Sequence, residues 1–112
     1  MIEPATEQLD DTLAALADPA RRRAVELLAE RPRRAGELAR EVGTSPSAMS
    51  KHLRVLRQGG LVTETHPDFD ARVRIYSLRS APMVELRTWL RQAEQGWTEQ
   101  LAALASHLER DR

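Results

Sequence analysis

Residues 44–62 read TSPSAMSKHLRVLRQGGLV, and this stretch decides the fold. Ser45-Pro46 predicts a helix start, because serine caps helix N-termini and proline is favoured at the first helical position. Gly59-Gly60 predicts the end of that helix. Between them, apolar residues recur at steps of four and three and predict one inward stripe: Met49, Leu53 and Leu56. We therefore expect an amphipathic helix from Pro46 to Gln58.

A second short helix precedes this one. Apolar residues at the i, i+3, i+4 and i+7 positions of 35–42 predict one buried face, formed by Ala35, Leu38, Ala39 and Val42. Gly43 follows and permits the positive φ that a tight connecting turn requires. Two short helices joined in this way predict a helix-turn-helix over 35–58, whose second helix enters the major groove of DNA.

The sequence period changes after this motif. Leu61–His66 and Val73–Leu78 are β-prone, and turn-forming residues separate them at 67–71, which predicts a β-hairpin over 61–78. A helix-turn-helix followed by a hairpin is the plan of a winged helix-turn-helix domain. We expect a mainly α fold with a small β-hairpin, five helices and one domain over 1–112.

The first and last predicted helices indicate a homodimer. The last helix, predicted over 82–110, carries an apolar seam too long for so small a core to cover. We expect it to pair with its two-fold mate or with the first helix, predicted over 6–17, of a second copy. The predicted dimer residues are Leu9, Leu13, Leu16, Leu90, Trp97, Leu101, Leu104 and Leu108.

Charge is segregated along the chain although the formal net charge is zero. Residues 1–18 contain five acids and no base, whereas residues 19–60 contain ten lysines or arginines and four acids. Lys51, Arg54 and Arg57 form one outward stripe, and no acid occurs between Glu41 and Glu64. Clustered cations of this kind indicate a surface that binds phosphate groups. We expect double-stranded operator DNA as the partner, with small hydroxyl residues approaching it at the start of the helix.

The segment ALADPARRRAVELLAERPRRAGELAREVGTSPSAMSKHLRVLRQGGLV, with a basic hairpin after it, resembles the ArsR-type family of winged-helix repressors. The likeness covers about residues 12–79. It implies homodimerisation, DNA binding by the helix from Pro46, and a wing at about 66–74 that contacts phosphate or the minor groove. The predicted DNA-binding residues are Thr44, Ser45, Ser47, Ala48, Ser50, Lys51, His52, Arg54, Arg72 and Arg74. For His52, which lies beside the inward stripe, a structural role is favoured over a catalytic or metal-binding one.

No catalytic, cofactor or metal site is predicted. Metal-sensing members of the family resemble one another in a cysteine motif on the third helix, and this chain has no cysteine. Other members use ligands on the last helix, where this chain has one histidine, His107, which cannot complete a tetrahedral site. The ending resembles the metal-independent members. We therefore expect a regulator that is not an enzyme and holds no metal.

Two alternatives stay open at this point. One is a protein–protein interaction module on the same scaffold without DNA binding, although such modules usually lose the outward cations. The other is a sensor gated by a small-molecule effector of unknown identity, bound near Trp89 and Trp97, for which dimer core is the competing role. The acidic N-terminus lacks a secretory signal, so we expect a cytoplasmic location.

Overall fold

A computed structural model describes residues 6–111 of the chain; the first five residues and Arg112 lie outside the described part. The described residues form five helices and three short strands. In chain order they are α1 (Glu7–Leu16), α2 (Pro19–Glu30), β1 (Arg33–Arg34), α3 (Ala35–Val42), α4 (Pro46–Gln58), β2 (Val62–Thr65), β3 (Ile75–Leu78) and α5 (Ser80–Arg110). This architecture confirms the predicted winged helix-turn-helix fold.

Side-chain caps start three of the helices. The Thr6 hydroxyl accepts from the Leu9 N–H, Asp18 accepts from the N–H groups of Ala20 and Arg21, and Ser45 accepts from Ala48. A proline follows directly after Asp18 and after Ser45, where its missing N–H costs nothing. The bounds of α4 are therefore those that its cap and stop residues predict, and the bounds of α3 agree with its apolar spacing and Gly43.

The sheet has one strand more than the predicted hairpin. Its order is β1-β3-β2, and all neighbours are antiparallel. β1 is only the pair Arg33–Arg34, with Arg33 opposite Tyr76 and Arg34 opposite Ile75. Two arginines carry no strand signal, because this strand depends on the tertiary contact with β3. The hairpin strands are also shorter than predicted, at four residues each.

The core lies between α2, α3, α4 and the sheet. Its largest fully buried side chains include Leu27 of α2, Leu38 of α3 and the stripe of α4, namely Met49, Leu53 and Leu56. Leu61, Val62 and Tyr76 bring the wing into the same cluster. The apolar face of α4 is thus covered completely within one chain, which fixes the helix with its polar face outward.

Helix α5 extends far beyond this core. It has 31 residues and is about 46 Å long, and the principal extents of the chain are 72 × 25 × 21 Å. The radius of gyration is 19.3 Å, whereas a compact domain of this length has about 13 Å. Every residue from Trp97 to Arg110 is exposed. Within residues 6–111, no helix is a candidate for a membrane-spanning segment.

Two predictions about the outer helices need correction. Helix α5 begins at Ser80 rather than at residue 82, because Pro82 fits in the first turn, where no hydrogen bond requires its N–H. Leu9 was predicted to lie in the dimer contact, but its side chain is 2% exposed in the single chain. A side chain already buried in its own chain has no surface to offer a partner.

Candidate nucleic-acid interface

Helix α4 presents its polar side chains on the face opposite the core. Ser47, Lys51 and Arg54 are exposed, and Ala48 and Ser50 are half-buried beside them. Neither cation forms an ion pair with another residue in the described part of the chain. A rigid helix with free cations and small side chains fits the shape of the major groove and the chemistry of phosphate and base edges.

The turn before α4 controls how this helix starts. Gly43 has φ +80°, and the N–H groups of Gly43 and Thr44 both donate to the Ala39 carbonyl at 3.0 Å. Thr44 is half-buried, while the exposed Ser45 uses its hydroxyl oxygen as the cap of α4. Ser45 can still donate its hydroxyl hydrogen outward. His52 is half-buried, as expected for a residue beside the inward stripe.

Glu64 connects α4 to the wing. Its Oε2 atom accepts from the Tyr76 hydroxyl at 2.8 Å and from Arg57 Nη1 at 2.8 Å, and its Oε1 lies 3.2 Å from His66 Nε2. The Tyr76 hydrogen bond lowers the pKa of Glu64, with a further contribution from the positive charge of Arg57. Desolvation, followed by the bond to Glu64, raises the pKa of Tyr76.

This contact corrects the predicted cationic stripe. Arg57 follows Lys51 and Arg54 along α4, but its guanidinium is paired with Glu64 rather than free. Glu64, the first acid after the long basic stretch, therefore neutralises Arg57, the last cation of α4. Two free cations, Lys51 and Arg54, remain from that stripe.

The wing carries the other predicted cations. Arg72 is 92% exposed, and Asp70 accepts from both its backbone N–H and its Nε atom. These two bonds lower the pKa of Asp70, the backbone bond most. Arg74 is exposed and lines a cleft between α4 and the wing, together with Ser50 and Arg54. Cations of the helix and of the wing thus line the same cleft, together with Glu64, which pairs with Arg57.

All but one of the remaining predicted dimer residues lie on an uncovered face; the exception is Leu16. Leu13 is 40% exposed, and Leu16 is half-buried against the core. The apolar side chains of α5 are between 46% and 61% exposed, at Leu90, Trp97, Leu101, Leu104 and Leu108. Trp89 is half-buried. Helix α1 packs on α5 in the same chain, so both helices lie on one side of the molecule.

Comparison with known proteins gives the family. A family model described as bacterial regulatory protein, arsR family, matches residues 18–64. The chain is also 38% identical over 96 residues to the HTH-type transcriptional regulator Rv2034 of Mycobacterium tuberculosis, an alignment that covers 86% of this chain and 84% of that protein. The chain belongs to the ArsR family. It is a DNA-binding transcriptional regulator and not an enzyme.

Further similarities agree with this assignment. The chain is 39% identical over 85 residues to the HTH-type transcriptional regulator Rv0081 of the same organism, covering 75% of this chain and 72% of that protein. A solved ArsR-like transcriptional regulator from Rhodococcus sp. RHA1 superposes with a TM-score of 0.72 at 27% identity, covering 88% and 91% of the two chains. Among residues 6–111 of this ArsR-family chain, no group of three acids or histidines is arranged to hold a metal ion.

The sequence did not identify Arg34 of β1 as a candidate DNA-binding residue. Arg34 and Gly36 line a cleft with Arg72 and Arg74, at the junction of α3 and the wing. The tandem arginines were visible as part of the basic surplus, but they could not be placed without the β1–β3 pairing. That pairing brings Arg34 opposite Ile75, one residue from Arg74.

Proposed function

We propose that this ArsR-family chain is a repressor that binds an inverted-repeat operator as a homodimer and does not sense metal. The observation that carries the proposal is the orientation of α4: its apolar stripe is at most 1% exposed, while Lys51 and Arg54 are exposed and free of ion pairs in residues 6–111. Two such helices, related by a two-fold axis, would enter successive major grooves on one side of a duplex.

The distal half of α5 supports the homodimer. Trp97, Leu101, Leu104 and Leu108 follow one another at steps of four, three and four, and each is at least 46% exposed in the single chain. That spacing is typical of a seam between two paired helices. We propose that this seam and Leu13 of α1 meet their counterparts in the second copy. Residues 1–112 then act as a single domain, with 6–17 and 82–110 pairing the copies, 35–58 binding the major groove and 61–78 forming the wing.

The side chains that could bind a metal ion support metal independence. The third helix offers no thiolate, since the sequence has no cysteine. On α5, His107 Nε2 lies 3.2 Å from Asp111 Oδ2, which gives one nitrogen and one carboxylate per chain. A structural or sensory zinc site usually needs four protein ligands, with more nitrogen or sulfur donors than these. We propose a cytoplasmic location because that is where the operator DNA of a bacterium lies.

Selection from random duplexes tests the proposal. Purified protein is used to select bound duplexes over several rounds, and the enriched sequences are aligned. We expect an imperfect inverted repeat whose half-site centres lie about one helical turn apart. Addition of a chelator should leave the selected sequence and its affinity unchanged. Enrichment of no sequence, or of an asymmetric single site, would contradict the proposal.

A further inference from the structure

The cleft between the start of α3 and the root of the wing has an unusual lining. Three arginines line it, Arg34 from β1 and Arg72 and Arg74 from the wing, together with Gly36 in the first turn of α3. Neither Arg34 nor Arg74 forms an ion pair within residues 6–111. Three acids are close by, and each is paired with an arginine. Asp70 pairs with Arg72. Glu37, in the first turn of α3, pairs with Arg31, and Glu64, in the cleft beside α4, pairs with Arg57. The cleft therefore keeps a surplus of positive charge.

The neighbouring arginine shows what a structural role would look like. Arg33 is 6% exposed, donates to the Leu27 carbonyl at 3.1 Å, and pairs with Glu30 at 2.6 Å and Glu41 at 2.9 Å. Arg34 is the next residue in the same strand, and its exposed side chain lines the cleft. Folding thus uses the first arginine of the pair, whereas the second has no structural partner in the described residues.

Gly36 leaves the backbone of the first turn of α3 uncovered. A Cβ atom built at Gly36 would meet only Arg40 Nη1, at 3.7 Å, which is ordinary contact, and its φ is not positive. The fold therefore does not require glycine there, although glycine in a helix costs about 0.5–1 kcal/mol relative to alanine. At the start of α3, the Glu37 carboxylate accepts from the backbone N–H of Arg34 at 3.5 Å. The Arg34 side chain has no acceptor, so it does not cap the first N–H groups of α3 itself.

We propose that this cleft binds a phosphate group of the DNA backbone, held by Arg34, Arg72 and Arg74 and by the first N–H groups of α3. The inference rests on the proposed function, since it concerns the same surface. Arg74 lines both this cleft and the cleft beside Ser50 and Arg54 of α4. A duplex bound by α4 would therefore extend past Arg74 to Arg34. Guanidinium groups and helix N-terminal amides are both phosphate donors.

Two substitutions test the cleft. Arg34→Gln should weaken binding to a labelled mixed-sequence duplex and to the selected operator by the same factor, about three- to tenfold, and lower the slope of log K against log salt by about 0.9. Gly36→Ala should weaken binding to both duplexes by a similar factor, while the melting temperature of the variant equals or exceeds that of the wild type. Arg110→Gln, which removes the same charge at the far end of α5, is the matched control and should bind as the wild type does.

The outcomes separate this inference from the proposed function. If wild-type protein retains no duplex, the proposed function fails. If it binds, but Arg34→Gln and Gly36→Ala both keep its affinity and salt slope, the cleft is not a phosphate site and the proposed function stands. Inorganic pyrophosphate tests for a small anion in place of the DNA backbone. Micromolar pyrophosphate binding that Arg34→Gln abolishes, with duplex binding unaltered, would overturn the assignment to DNA.

Discussion

Helices α4 and α5 carry the same kind of apolar spacing but have opposite surroundings. Met49, Leu53 and Leu56 of α4 are at most 1% exposed, whereas Leu101 and Leu104 of α5 are 46% and 53% exposed. The difference lies in the partner, because α4 packs on other parts of its own chain and the distal half of α5 does not. Periodicity predicts that a helix face will be covered, and only the tertiary structure shows whether one chain can cover it.

The comparison also separates two tasks. A helix whose apolar face is satisfied within the chain holds its cations in fixed positions for DNA. A helix whose apolar face is open is suited to joining two copies. Substitutions on the outer face of α4 should weaken DNA binding and leave the dimer intact, whereas substitutions on the open face of α5 should break the dimer and thereby also weaken operator binding. The following predictions are ordered from the largest expected effect to the smallest.

Leu101→Asp combined with Leu104→Asp should break the seam of α5. Burying each leucine against a partner contributes about 1.5–3 kcal/mol, so the double variant should weaken dimerisation at least about 100-fold. Sedimentation velocity across a concentration series measures this change. Ser106→Asp is the control, because it places a negative charge on the opposite side of α5; each single variant, Leu101→Asp and Leu104→Asp, is compared with it at equal added charge. A double variant that dimerises over the same concentration range as the wild type would exclude this seam.

Arg54→Ala and Lys51→Ala should damage the other helix face without unfolding the protein. Each should cost about 1–3 kcal/mol in operator binding if it contacts a base, and each should lower the salt slope by about one if it contacts phosphate. Fluorescence anisotropy on the selected operator and on a mixed-sequence duplex distinguishes the two roles. Arg110→Ala is the matched control. Wild-type affinity in both variants would show that α4 is not the recognition helix.

Tyr76→Phe should remove the hydrogen bond that Tyr76 of β3 donates to Glu64 of β2, within the wing. Loss of a hydrogen bond to a charged group should lower the free energy of unfolding by about 1–2 kcal/mol at pH 7. Folding lowers the pKa of Glu64 below its ordinary 4.5, first through this bond. The stability is therefore present above that pH and is lost as pH falls through the folded pKa.

In the Tyr76→Phe variant, the pKa of Glu64 should move upward, and the stability difference from wild type should shrink at acid pH. Urea unfolding at pH 7 and at acid pH checks the stability difference, and an NMR titration of the Glu64 carboxyl checks its pKa. An unchanged Glu64 titration would show that Tyr76 does not donate to it in solution.

Gly43→Ala should have the smallest effect. The position has φ +80° and nothing within 4 Å of a built Cβ, so the cost is backbone strain alone, about 1 kcal/mol in the free energy of unfolding. Gly43→Asn is the control and should lose less, because asparagine tolerates the left-handed region better. Equal stability of alanine and wild type in urea would mean that the turn is not strained.

Local chemistry explains how much of the fold was predictable. Asp18-Pro19, Ser45-Pro46 and Gly43 specify helix starts and a turn through contacts within a few residues. The pair Arg33–Arg34 could not be predicted as a strand, because its conformation depends on β3, more than 40 positions away. The ion pair of Arg57 could not be predicted for the same reason: Glu64 reaches Arg57 only once the wing has folded back on α4.

In the candidate site, too, the features set by local sequence were predictable and those set by tertiary contacts were not. Lys51 and Arg54 are exposed as the helix pattern predicts, because position on an amphipathic helix decides exposure. Their contact with DNA stays a prediction, as does that of the wing arginines. Leu9 shows the limit of pattern reasoning: it shares the spacing of Leu13, yet one is buried in its own chain and the other is 40% exposed. Spacing alone cannot say which chain buries a leucine.

Half-site spacing tests the central claim, that two copies of α4 enter successive major grooves. The selected operator is synthesised with its half-sites moved apart by half a helical turn and by a full turn, about 5 and 10 base pairs, and binding is measured by anisotropy. We predict that affinity collapses at the half turn, where the second half-site faces away, and recovers in part at the full turn. Equal affinity for all three spacings, or for an isolated half-site, would contradict the account.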